Sequence, residues 1–179
     1  MGPQLHLLTI VVTTDKLATM PKTIEQELKQ TRPIGSPHEQ AVLGLMRTSR
    51  AIEESWQTYV KRVEGISISQ YNILRILRGA RPRAIKSSDI AERMIYRDPD
   101  VTRLVDRLSK QGLVGREEDP QDRRVVLVRI TDRGLALLAR LDEPADRYTK
   151  SVMAGLSPDR LRQLCSLLDE VRGGRLEFP

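Results

Sequence analysis

Apolar residues recur at helical spacing along most of the chain, and short breaks rich in proline, glycine or charge separate the runs. From about His38 to Val63 the beat is Val42, Leu45 with Met46, Ser49, Ile52, Trp56, Tyr59 with Val60, then Val63. This spacing predicts one long helix with a single apolar stripe, ended by Gly65. "SISQYNILRILRGA" predicts a second helix, with Ser69 as its N-cap and Gly79 as its stop. A short third helix over Ser87–Ile95 turns Ile90, Ala91 and Met94 inward. Asp98-Pro99 then reads as a helix start, a carboxylate cap followed by proline at the first helical position. Val101, Leu104, Val105 and Leu108 follow at i, i+3, i+4 and i+7, and Gly112 closes that helix.

Leu113-Val114 opens a strand, "DPQDRR" makes a turn, and "VVLVRI" returns as its partner. Thr131 caps a fifth helix running towards Met153, which Pro144 is expected to kink or break, because proline lacks the backbone donor and crowds the preceding turn. Ser157-Pro158 begins a sixth helix with the stripe Leu161, Leu164/Cys165, Leu168 and Val171. The expected fold is therefore mainly α with a small β-hairpin wing: a winged helix-turn-helix core flanked by dimerisation helices. The predicted organisation is an N-terminal extension over 1–37, a first dimerisation helix over 38–64, the winged core over 65–143, C-terminal dimerisation helices over 144–172 and a tail over 173–179. The flanking helices carry more apolar surface than a small nucleic-acid reader needs, and a symmetric dimer is the natural use for it.

Composition narrows the chemistry. Thirty Lys and Arg against 24 Asp and Glu give a net charge of +6, which favours an anionic partner. The distribution is more informative: residues 86–133 hold eleven basic and ten acidic residues, so the busiest segment is nearly neutral and its charges suit directional contacts. One cysteine excludes an internal disulfide and fits a reducing, cytoplasmic setting. With two histidines beside it, a Cys/His zinc site is not expected, nor is any other metal or cofactor. No apolar run is long enough for a membrane span. The segment "LHLLTIVV" lacks a basic flank and makes a poor secretory signal; it is either a loosely packed strand or sequence ahead of a natural start at Met20.

Four pieces in order, "SISQYNILRIL", "SSDIAERM", "DVTRLVDRLSKQGLV" and "EEDPQDRRVVLVRITDRG", resemble the MarR (multiple antibiotic resistance regulator) family over about residues 38–172. The last carries the family's wing pattern as Asp122, Arg124, Ile130 and Thr131, with isoleucine in the usual leucine place. Lys86 stands where the family often has a threonine cap, so Ser87 is expected to take that role or the helix to start one residue later. The resemblance implies a dimeric transcription factor, a ligand-responsive repressor, that binds pseudo-palindromic operators in double-stranded DNA and answers to small aromatic or phenolic effectors.

With the aliphatic stripe turned inward, the fourth helix shows Asp100, Thr102, Arg103, Asp106, Arg107 and Lys110. Such a helix fits the major groove, and Arg103 is the first choice for reading guanine through N7 and O6. Thr102 suits a phosphate or a thymine methyl; Asp100 suits cytosine N4 or the dipole of its own helix. Asp106 and Arg107 are either part of the contact face or a salt-bridged surface, and Lys110 is a phosphate neighbour. The resemblance assigns Arg124 to the minor groove, Asp122 to orienting it, and leaves Arg123 a phosphate contact. Arg75, Arg78, Ser87 and Ser88 are further phosphate candidates, as are the linker residues Arg81 and Arg83, although some of these arginines must cover apolar surface with their stems. Trp56 and Tyr59 lie on the first helix, whose inner side in relatives borders the effector crevice; packing in the core or an interface is the competing role for Trp56. Cys165 on its apolar stripe suits an inert, packed thiol.

No catalytic constellation is present: there is no Ser/His/Asp or Cys/His arrangement and no glycine-rich phosphate loop, and Glu117-Glu118 read as a solvated strand face. A winged module that meets protein or RNA is the remaining alternative, and the retained outward Arg/Thr set argues against it.

Overall fold

The computed structural model describes residues 22–96, 98–122 and 125–174. The expected "LHLLTIVV" strand, Arg123 and Arg124 lie outside the described residues. The elements run α1 (Ile24–Glu27), α2 (Pro37–Glu64), α3 (Ile68–Ala80), β1 (Ile85–Lys86), α4 (Ser87–Arg93), α5 (Val101–Lys110), β2 (Val114–Glu118), β3 (Val126–Ile130), α6 (Asp132–Val152) and α7 (Pro158–Gly173). The chain divides into two compact units, up to Thr48 and from Ser49 onward, the division falling inside α2.

In the first unit, α1 was not expected. Thr23 and Gln26 form a capping box around it, each side chain accepting the other's backbone N–H. Glu25 then accepts the Ile34 N–H at 3.0 Å and folds the proline-rich stretch back on the short helix. Val42, Leu45 and Met46 on the first part of α2 are exposed.

The second unit has its core where α3, α4, α5 and the sheet meet the middle of α6. Ile73, Leu74, Ile90, Val105, Leu108 and Leu138 have no accessible surface. All four residues of the stripe predicted for α5 face this core, Leu104 half-buried. The sheet has three strands in the order β1-β3-β2, all antiparallel. Two-residue β1 escaped the sequence pattern; Ile85 pairs with Val128 and Lys86 with Leu127, which fastens the entry to α4 onto the wing.

Several boundaries differ from expectation for identifiable reasons. Ser67, not Ser69, caps α3, because Gln70 three residues later completes a capping box: Gln70 N–H donates to Ser67 Oγ at 3.2 Å and Ser67 N–H to Gln70 Oε1 at 2.9 Å. Ser87 is the first helical residue of α4, and Lys86 before it makes no side-chain cap bond. Asp100, not Asp98, caps α5, its Oδ1 accepting the Arg103 N–H at 3.2 Å; Asp98 instead accepts the Asp100 N–H at 2.9 Å. The helix can start only at Val101, because the turn at 98–100 uses both carboxylates.

Pro144 does not break α6, which runs uninterrupted from Asp132 to Val152. The missing backbone bond costs roughly 3 kcal/mol in an isolated helix, but α6 is held on both sides of it. Leu137, Leu138 and Leu141 are buried before Pro144, and the Tyr148 hydroxyl after it donates to the Ile52 carbonyl at 2.8 Å. Cys165 is exposed, contrary to a packed thiol: α7 buries no residue in the single chain, and its stripe is half-buried at Leu161, Leu164 and Leu168 but open at Leu167 and Val171.

Candidate nucleic-acid interface

The α5 helix presents Thr102, Arg103, Arg107 and Lys110 to solvent. Its first turn is fixed by Asp100, which caps the helix and also lies 3.3 Å from Arg103 Nη1. Asp106, half-buried on the same helix, is engaged by Arg116 of β2 in an ion pair that ties the helix to the wing. Of the two roles open to Asp106, the salt-bridged one is observed, and its partner Arg116 was not singled out from the sequence. The signal was available only in three dimensions, since the pair spans a turn and two elements.

Gly134 was likewise missed as a structural residue. It lies in the first turn of α6, buried, and a Cβ there would overlap the Leu113 carbonyl oxygen and come within 2.7 Å of Ile130 Cγ1. Only glycine lets α6 start this close to both strands of the wing. Thr131 supports the same corner: its hydroxyl donates to the Gly112 carbonyl at 2.7 Å and accepts the Gly134 N–H at 3.1 Å. At the wing tip, Asp119 N–H donates to Val125 O and Val125 N–H to Asp122 O, both at 2.9 Å, which closes the loop around Asp122.

On α6 and α7, Arg140, Arg147, Lys150, Arg162 and Arg172 each have a carboxylate partner, whereas Arg133 and Arg160 have none among the described residues. Around the helix-turn-helix, Arg81, Arg83, Lys86, Arg93, Arg107 and Lys110 have none among the described residues. Arg78 is an exception. Its Nη1 sits 2.9 and 2.8 Å from the two Asp142 oxygens, so it fastens α3 to α6 and would have to leave this pair to meet a phosphate. Ser87 is half-buried at the start of α4, and exposed Ser88 donates to Asp89 Oδ1 at 3.4 Å.

A second feature lies behind this face. A cavity of about 200 Å³ opens between α2, α3, α6 and the residues after α4, with Trp56, Tyr71, Asn72, Arg75, Ile95 and Tyr148 on its wall. Trp56 takes the packing role and also lines the cavity. Its ring packs in the core, stacked on Tyr148 and Tyr59 at 5.2 and 5.4 Å and edge-on to Tyr71 at 5.8 Å. Tyr59 does not reach this cavity but lines a second groove with Pro144 and Arg147, which Trp56 also borders. Arg75 lies over the Tyr71 ring, 5.8 Å from its centre, at the cavity wall. No helix among the described residues is long and apolar enough to cross a membrane, and no acidic or His/Cys cluster among them could hold a metal.

Comparison with known proteins agrees with this architecture. A sequence profile of the MarR family matches residues 66–126, from the start of α3 into the wing. The chain is 32% identical to the uncharacterized HTH-type transcriptional regulator YdgJ of Bacillus subtilis over 60% of its own length and 65% of the relative's, so it spans just under two thirds of that protein. The crystal structure of a MarR transcription factor from Planctomyces limnophilus is similar at 38% identity and a TM-score of 0.58, over 77% of this chain and 98% of that one. The PcaV transcriptional regulator from Streptomyces coelicolor, solved in complex with its natural ligand, is similar at 27% identity and a TM-score of 0.64, over 78% and 94%. The profile, the order of elements and the near-complete coverage of the Planctomyces protein agree: the chain belongs to the MarR family.

Proposed function

We propose that the protein is a dimeric, sequence-specific DNA-binding transcriptional regulator, a ligand-responsive repressor acting at a pseudo-palindromic operator. The observation that carries the reading is the face around α5, where Thr102, Arg103, Arg107 and Lys110 are exposed, Arg103 lies beside Asp100, and Arg107 and Lys110 have no carboxylate partner among the described residues. A helix of this kind fits the major groove, where Arg103 meets a guanine edge and Thr102 a phosphate or thymine methyl. Arg107 and Lys110, further along α5, meet phosphates. Asp100 keeps its capping duty and aims Arg103. Arg124 takes the minor groove beside the wing, Asp122 orients it, and Arg123 holds the adjacent backbone. Arg75, Ser87 and Ser88 are secondary phosphate contacts.

Exposed Val42, Leu45, Met46, Leu167 and Val171 support the dimer, since apolar surface left open on α2 and α7 is what a second copy would cover. A symmetric pair sets two reading helices about 34–36 Å apart, one turn of DNA. The effector is a small aromatic or phenolic anion. The cavity wall offers aromatic rings, an Arg75 guanidinium with no carboxylate partner among the described residues, and a Tyr71 hydroxyl with no hydrogen bond among them. PcaV, similar in fold and sequence, has been solved with its natural ligand, which supports a ligand in this chain too.

The test is a mobility shift with the protein's own upstream DNA, comparing the wild type with Arg103→Ala and Arg124→Ala. Both variants are expected to lose specific binding, and unchanged binding in both would overturn the contact scheme.

A further inference from the structure

The cavity beside Trp56 is small for its suggested use. Sites for drug-sized ligands run to roughly 300–1,000 Å³, against about 200 Å³ here, so a substituted aromatic ring that fills the cavity presses on its wall. Trp56 and Tyr71 cannot yield readily, being 9% and 6% exposed and packed against one another. Ile95 and Tyr96 can, since they are 72% and 38% exposed and follow the end of α4.

One polar bond holds that yielding wall in place. The Met94 N–H closes α4 on the Ala91 carbonyl, which leaves Ile95 N–H as the first amide beyond the helix to need a partner. Asn72 of α3 supplies it: Ile95 N–H donates to Asn72 Oδ1 at 2.9 Å. The same Asn72 faces the cavity, and its NH2 group donates to no described residue. Three residues after Ile95 begins the cap of the reading helix, where Asp98 accepts Asp100 N–H and Asp100 accepts Arg103 N–H. Asn72 thus touches the cavity on one side and the approach to α5 on the other.

We propose that Asn72 is the positioning residue that passes occupancy of the cavity to α5, and that a bound ligand acts by releasing Ile95 from it. The proposal rests on the ligand-responsive reading above. The ligand ring forces Ile95 and Tyr96 away from α3, which breaks the Ile95 N–H bond to Asn72 Oδ1. The state with the Asn72–Ile95 bond is the DNA-binding one, and the state without it is the ligand-binding one. Linkage then fixes the signs: anything that weakens the bond lowers DNA affinity and raises ligand affinity by a similar factor.

The test uses the full chain, the upstream duplex that the wild type binds, and 4-hydroxybenzoate as probe. Asn72→Leu is expected to weaken DNA binding without probe about five-fold and to tighten probe binding about as much, the range of one net hydrogen bond. A parallel fall in both affinities would mean a merely structural role, and no change in either would mean no coupling; each overturns the proposal. A wild type that binds DNA but not the probe overturns the effector reading itself, and this proposal with it. Should Asn72→Leu fail to fold, exchange of the Ile95 amide in the wild type decides: protected when empty and faster with probe supports the proposal, and unchanged exchange overturns it.

Discussion

Asp106 of α5 and Arg116 of β2 form an ion pair that joins the helix proposed to read bases to the strand that carries the wing. Both side chains are about two-fifths exposed, at 41% and 36%, so the pair contributes little to folding, about 0–1 kcal/mol. Its value is orientation. Asp106→Ala and Arg116→Ala are expected to leave the urea midpoint almost unmoved while each weakens operator binding about three- to ten-fold. Base preference should stay the same in both, as fluorescence anisotropy on single-site operator variants would show. A change of preference in Asp106→Ala alone would make Asp106 a reader.

Gly134→Ala is a stability prediction independent of function. The added methyl meets the Leu113 carbonyl and Ile130, neither of which can retreat from the buried corner between the wing and α6. Overpacking of this kind costs about 1–3 kcal/mol, read as a lower denaturant midpoint with the slope unchanged.

Glu64 and Arg140 offer an asymmetric test. Arg140 Nε and Nη2 donate to Glu64 at 2.9 and 2.7 Å; the carboxylate is nearly buried and the guanidinium open. Arg140→Ala strands a buried charge, whereas Glu64→Ala leaves an exposed one, so the first is expected to lower the melting temperature more. The hydrogen bond to Glu64 raises the Arg140 pKa above its ordinary value. A raised base contributes stability below its unfolded pKa and loses it only as pH climbs through the folded one. The pair should therefore hold across the whole alkaline range in which folding can be followed.

Leu167→Glu, on the open stripe of α7, is expected to shift the protein towards monomer in analytical ultracentrifugation. Operator affinity should then drop by about 100-fold or more, because two half-sites are no longer gripped together. A monomer that keeps full affinity would sink the dimeric reading.

Arg107→Ala and Lys110→Ala should each weaken binding about evenly across sequences and reduce the slope of log affinity against log salt by about 1. Arg103→Ala should instead relax selectivity at one base pair, a loss of about 1–3 kcal/mol of discrimination.

The α5 stripe and the cap at Thr131 were legible in the sequence because both are local: four aliphatics at helical spacing, and a hydroxyl three residues before Gly134. The start of α5 was misplaced by two residues because Asp98 and Asp100 are equally good caps in one dimension, and only the turn between them assigns their roles. Arg116, Asn72 and Tyr148 could not be chosen from the sequence, since their partners lie 10, 23 and 96 residues away. The expectation for Pro144 fails for a related reason: a helix breaker's local penalty says nothing of the packing that offsets it.

The uneven pairing of cations also bears on kinetics. Most guanidinium and ammonium groups on α6 and α7 have a carboxylate partner, Arg133 and Arg160 excepted, while those from Arg81 to Lys110 largely do not. Unpaired cations are therefore denser around α4 and α5 than on α6 and α7. Attraction of a polyanion to them favours encounters in which this face leads, so a larger fraction of collisions becomes productive. Ionic strength should then be felt first in the association rate, and the lifetime of the finished complex should be governed by the short-range contacts of Arg103 and its neighbours.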